Sequence, residues 1–121
     1  MLLDGRALIN AVTFDILGRA IFKPRRPING ALPLLRLCEL ADEGHRLRWD
    51  EAFLKPASKI GQIAQLRIRE WLATSEPLQI LLTNTCDTLL VDNWRMLHAR
   101  SPIPRGCEGR AIERVYLGGL N

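Results

Sequence analysis

Asp87-Thr88-Leu89-Leu90-Val91-Asp92-Asn93-Trp94-Arg95-Met96-Leu97-His98-Ala99-Arg100 is the stretch on which the reading of this chain turns. An apolar run, Thr88 to Val91, leads into Asp92-Asn93. That pair reads as a turn, because both side chains bond to nearby backbone and tolerate left-handed conformations. Trp94 to Ala99 then reads as a second extended segment. Strand alternation places Trp94, Met96 and His98 on one side. Taken alone, a histidine on a strand is most often a hydrogen-bonded structural residue, with Trp94 and Met96 as packing.

Working outward, Leu78 to Leu82 is another apolar run, joined to the first by a turn over Thr83 to Asp87. Downstream, Pro102, Pro104, Gly106 and Gly109 make a loop, and Ala111 to Leu117 reads as a strand ahead of Gly118-Gly119. Short strands with tight turns point to a sandwich, barrel or jelly roll rather than to a parallel sheet. The clearest helix follows Ser58, a good N-cap. Ile60, Ile63, Ala64, Ile68, Trp71 and Leu72 recur at three- and four-residue intervals as one apolar stripe, with Gln62, Gln65, Arg69 and Glu70 opposite and Pro77 ending the segment. Gly61 weakens its first turn by about 1 kcal/mol relative to Ala. Nearer the start, Met1 to Leu3 reads as a strand end closed by Asp4-Gly5, followed by a helix over Arg6 to Val12. A second helix is expected over Phe14 to Ile21, capped by Thr13. Leu32 to Cys38 fits either a strand or a helix start, and His45 to Leu54 is read as irregular or extended.

Composition narrows the function classes. With 121 residues the chain makes one domain, and its hydrophobic fraction of 47% and charged fraction of 25% are those of a soluble globular protein. No apolar run approaches the roughly 20 residues that span a bilayer, and the first residues lack the pattern of a secretory signal. Cys38, Cys86 and Cys107 are widely spaced, so reduced thiols in a cytoplasmic protein are expected rather than a zinc site or a disulfide framework. A net charge of +4 raises nucleic acid as a partner. The only basic cluster, Lys23-Pro24-Arg25-Arg26, has no interleaved aromatic residues to stack bases, so a solvated loop is preferred.

The Asp87–Arg100 stretch, together with Arg110-Ala111-Ile112-Glu113-Arg114-Val115-Tyr116-Leu117, resembles the C-terminal signature of the taurine dioxygenase and clavaminate synthase-like oxygenases, which depend on Fe(II) and 2-oxoglutarate. The resemblance covers Leu78 to Leu117, about a third of the chain. Leu2-Leu3-Asp4-Gly5 resembles the family segment that follows the first half of the metal site. Cys86 departs from the family, which usually has glycine before the aspartate of the turn. The resemblance implies an α+β chain forming the C-terminal half of a double-stranded β-helix, a jelly roll, with flanking helices. It implies that residues 1–121 form a single, partial oxygenase domain.

In that family two histidines and a carboxylate hold Fe(II) and leave positions open for 2-oxoglutarate and dioxygen. The resemblance assigns His98 as the distal iron ligand. Arg110, twelve residues later, would bind the far carboxylate of 2-oxoglutarate, a task suited to a planar guanidinium. Arg114 would face the same way and hold an anionic substrate group. The implied parent activity is oxidation, with hydroxylation foremost, of a small, amino-acid-like or acidic metabolite.

The required His-X-Asp or His-X-Glu element is missing, since the other histidine stands in His45-Arg46-Leu47. The chain is expected to begin just after that element, to be inactive alone, and to pair with a second copy or a complementary chain that covers its unpaired edges. Two rival readings are a non-enzymatic truncated remnant or stabilising subunit, and a small basic nucleic-acid-binding protein.

Overall fold

The Ser58 hydroxyl starts the longest helix and also ties it to a strand. In the computed structural model, which describes residues 1–42, 44–99 and 115, Ser58 Oγ accepts the Gly61 N–H at 3.0 Å and the Ile21 N–H at 3.3 Å. The helix it caps runs Lys59–Thr74. Ala64 and Ile68 are fully buried along it, with Ile60, Trp71 and Leu72 packed alongside. Ile63, expected on the same stripe, is instead exposed. Gly61 explains itself here: a Cβ at that position would lie 2.6 Å from the Ile21 carbonyl oxygen. The strand and helix approach too closely for any side chain there, which outweighs the helix propensity that glycine gives up.

In chain order the described elements are β1 (Leu2–Asp4), α1 (Gly5–Val12), α2 (Phe14–Arg19), β2 (Ile21–Pro24), β3 (Leu35–Arg36), β4 (Cys38–Ala41), β5 (Gly44–Leu47), β6 (Leu54–Pro56), α3 (Lys59–Thr74) and β7 (Met96–His98). Thr13 separates α1 from α2 and caps the second, its Oγ1 accepting the Ile16 N–H at 3.4 Å. Its φ of 84° is unusual for a β-branched residue. The sharp bend it makes lets Leu8 and Val12 of α1 and Leu17 of α2 bury into one core. The second helix stops two residues short of the expected Ile21. Ile21 and Phe22 are β-favouring residues claimed by strand pairing, Phe22 lying opposite both Leu35 and Pro56.

Three small antiparallel sheets sit beside the helices: β3-β2-β6, the β4–β5 hairpin, and β1–β7. The ambiguous Leu32–Cys38 run holds β3 and the first residue of β4, and His45–Leu54, read as irregular or extended, is both: it holds most of β5 and the start of β6, with no strand between them. The core residues, Leu8, Val12, Leu17, Ala20, Phe22, Leu37, Cys38, Leu47, Leu54, Ala64 and Ile68, all lie between positions 8 and 68. The apolar runs at Leu78–Leu82 and Thr88–Val91 form no strand. Only Leu78 bridges, to Leu2, and Leu81 and Leu90 are 81% and 67% exposed. An apolar run becomes a strand only where another backbone pairs with it, and among the described residues none does so beyond Leu78.

Candidate functional site

Two of the three stretches compared with the oxygenase family, Leu2–Gly5 and Asp87–Arg100, meet in one place. Strand β1 pairs antiparallel with β7, with Leu2 opposite His98, Leu3 opposite Leu97 and Asp4 opposite Met96. Met1 and Ala99 exchange both backbone hydrogen bonds, at 2.9 and 3.1 Å. Leu2 and His98 are therefore the neighbouring non-hydrogen-bonded pair, the kind whose side chains stand closest. The other edge of β1 is taken by Leu78, which exchanges two 2.8 Å bonds with Leu2. Alternation puts Leu2, Asp4, Met96 and His98 on one face of this ribbon.

The Asp92-Asn93 turn aims the residues that follow it. Asp92 Oδ1 accepts the Trp94 N–H at 3.1 Å, and its carbonyl accepts the N–H groups of Arg95 and Met96. Arg95 is thereby presented to Asp4. Its Nε donates to Oδ1 at 3.3 Å and its Nη2 to Oδ2 at 2.8 Å, across 91 positions of sequence. The same carboxylate caps α1, accepting the Arg6 N–H at 3.0 Å, and meets the Arg6 guanidinium at 3.3 Å. These donors, Arg95 foremost, hold the Asp4 carboxyl well below the usual carboxylate range. Gly5 N–H donates to the Arg95 carbonyl at 2.8 Å. A Cβ on Gly5 would sit 2.3 Å from that oxygen and 2.6 Å from Leu47 Cδ2, so only glycine fits the junction.

Trp94 joins this ribbon to the hairpin. Its carbonyl accepts the Leu47 N–H at 2.8 Å, and the guanidinium carbons of Arg46 and Arg48 lie 5.4 and 5.8 Å from its ring centre. Both distances are within cation–π range. Trp94 was expected on the same side as His98 by strand parity; it sits in the turn before β7 instead and packs toward the hairpin.

His98 is exposed and lies on the ribbon as described. Arg110 and Arg114, together with Cys107, lie outside the described residues. His45 belongs to β5, a different sheet, and its ring lies tilted against that of Phe14, with centroids 4.8 Å apart. Among the described residues no group of three or more His, Cys, Asp or Glu side chains could hold a metal ion. Asp4 shares the His98 face at a diagonal spacing of about 7–8 Å, but its oxygens are committed to Arg95 and Arg6. The described residues therefore do not fit an iron centre by themselves.

Elsewhere, an open groove of about 760 Å³ includes Phe14, Asp15, Arg19, Arg36, Cys38 and Glu39 in its lining. Burial, with the adjacent Glu39 charge, pushes the Cys38 thiol up, so it offers no ready thiolate. None of its lining residues belongs to β1 or β7.

The Asp4–Arg95 pair is the contact at this site that sequence reasoning missed. Asp4 was legible as a turn residue before a helix, but nothing local marks Arg95 as its partner. Comparison with protein-family models, with curated proteins and with solved structures finds no match for this chain. Among the described residues no helix is long and apolar enough to cross a membrane.

Proposed function

We propose that this chain is the His98-bearing, C-terminal part of a cytoplasmic Fe(II)/2-oxoglutarate-dependent oxygenase acting on a small, amino-acid-like or acidic metabolite. In this reading it forms half of a jelly roll and is inactive by itself. The observation that supports it is the β1–β7 pairing, in which Leu2-Leu3-Asp4-Gly5 and the Asp92–His98 segment, far apart in sequence, share one ribbon. In the family the first of these follows the His-X-Asp/Glu element, so ligands entering ahead of Leu2 would arrive beside His98. Arg110 and Arg114 keep the cosubstrate and substrate roles that the resemblance implies. One histidine does not hold Fe(II) with useful affinity, so the second histidine and the carboxylate come from another segment or chain.

The test is an anaerobic Fe(II) titration with and without 2-oxoglutarate, read by the charge-transfer absorption of the iron–cosubstrate chelate. The chain alone should give no band. The same chain carrying a His-X-Asp strand fused ahead of Met1 should give one near one equivalent, lost in His98→Ala. A fusion that forms no chelate, or a chelate indifferent to His98→Ala, would overturn the reading.

A second reading is favoured by the unfilled ligand set: a non-catalytic remnant or stabilising subunit. It predicts that the fusion binds no iron while the chain still associates with a larger partner.

A further inference from the structure

The ribbon that carries His98 is short and poorly specified by its own pattern. Each strand has three residues, and apolar side chains occupy both faces: Leu2 and Leu3 on one strand, Met96 and Leu97 on the other. Register is set strongly where one face of a strand is buried; in this ribbon that constraint comes down to Leu97, the one residue of β7 packed against the core. A one-residue slip of β7 would turn His98 to the opposite face and swing Leu97 away from the core against which it packs. A two-residue slip would keep the face but carry His98 about 7 Å along β1.

Two features of the junction resist that slip. The Arg95 fork meets both oxygens of Asp4, and a fork-to-carboxylate contact has a geometry as well as a charge. Asp4 cannot follow a sliding strand, because the same carboxylate caps α1 through the Arg6 N–H. Gly5 closes the same junction from the backbone, donating to the Arg95 carbonyl.

We propose that Asp4 and Arg95 form a register lock: they are positioning residues whose role is to fix where, and on which face of the ribbon, His98 is presented. The link to a metal rests on the oxygenase reading above; the lock itself does not, and holds for any use of His98. Asp4 anchors the fixed side, through the start of α1, and Arg95 anchors the strand that must not slide.

The lock is read by cross-strand Hα–Hα contacts in the NMR spectrum of the intact chain, with thermal melting recorded in parallel. The wild-type protein should show the Leu2–His98 and Asp4–Met96 contacts as a single set. Asp4→Asn keeps an oxygen for the helix cap but loses the charge, so it should fold and show at least one further set, with Leu3 opposite His98 or Leu2 opposite Leu97. Arg95→Lys keeps the charge but offers one point instead of a fork, and should fall between the two. Arg6→Ala removes the other guanidinium and should leave a single register.

Disulfide trapping gives an independent reading. The Leu2→Cys/His98→Cys pair, opposed in a non-hydrogen-bonded position, lies within bridging distance in the native register. It should form one mapped cross-link in the Asp4, Arg95 background and a reduced yield when Asp4→Asn is added. The Leu3→Cys/His98→Cys pair should do the reverse. Lower melting temperatures with the native register intact in every variant would overturn the proposal and leave an ordinary surface ion pair. The iron titration can fail while the register result stands, and the converse also holds, so the two failures are distinguishable.

Discussion

Residues 8–68 and residues 78–99 are organised on different principles. The first region closes around eleven buried apolar residues drawn from three helices and four strand segments or their flanks. The second contributes none of them; Leu97 alone of its residues packs against the core. It is held instead by a few polar links: the Leu2–Leu78 bridge, the β1–β7 ladder, the Asp4–Arg95 pair and the Leu47–Trp94 backbone bond. The difference teaches that the stretch with the most suggestive sequence is the one least able to organise itself. Its geometry is borrowed from the N-terminal strand and the hairpin.

The comparison can be broken most forcefully from the core. Phe22→Ala deletes a fully buried ring and should cost about 3–5 kcal/mol, measured by urea unfolding. The β1–β7 contacts should be lost with it, because the second region has no core of its own. Gly5→Ala attacks the junction. Its Cβ meets the Arg95 carbonyl and Leu47, and the expected loss is about 1–3 kcal/mol, with the β1–β7 contacts disturbed before the β2–β6 ones.

Ser58→Ala should cost about 1 kcal/mol from the lost cap. It sharpens the comparison because its damage stays in the first region, visible as faster amide exchange at Ile21 and Gly61. A smaller effect is expected from acid. The Asp4 carboxyl titrates lower in the folded chain than in the unfolded one, so its contribution is complete above a pH of about 4 and is lost as the pH falls further. For an ion pair this exposed the amount should be less than about 1 kcal/mol. Asp4→Asn should flatten that part of the stability–pH curve. Smallest of all, Leu81→Ser should change stability by no more than about 0.5 kcal/mol, since Leu81 is 81% exposed. A larger loss would mean that the second region is covered in solution.

The parts readable from sequence were those set by local chemistry. Ser58 and Thr13 cap the helices expected of them, and the Ala64–Ile68–Trp71 stripe faces inward. The Asp92-Asn93 turn and the strand to His98 were also anticipated. What failed depended on distant partners. The runs at Leu78–Leu82 and Thr88–Val91 have strand-like composition, but composition cannot supply a neighbouring backbone. For the same reason Gly61 read as a helix weakness, although the Ile21 carbonyl demands it. At the site, His98 was singled out from its flanking motif, while the Asp4–Arg95 pair depends on a contact across 91 positions that no local pattern encodes.

That separation also orders events in time. Helices α1 and α2 and the β4–β5 hairpin join residues a few positions apart and can form as soon as they exist. Strand β1 cannot. The partners of Leu2–Asp4 are residues 96–98, so during synthesis they stay without β7 until most of the described chain has been made. Loop closure over such a span comes late. Among the described strand pairings the ribbon carrying His98 closes the longest span, and until β7 arrives the β1 edge is a surface a nascent chain must keep from sticking to others.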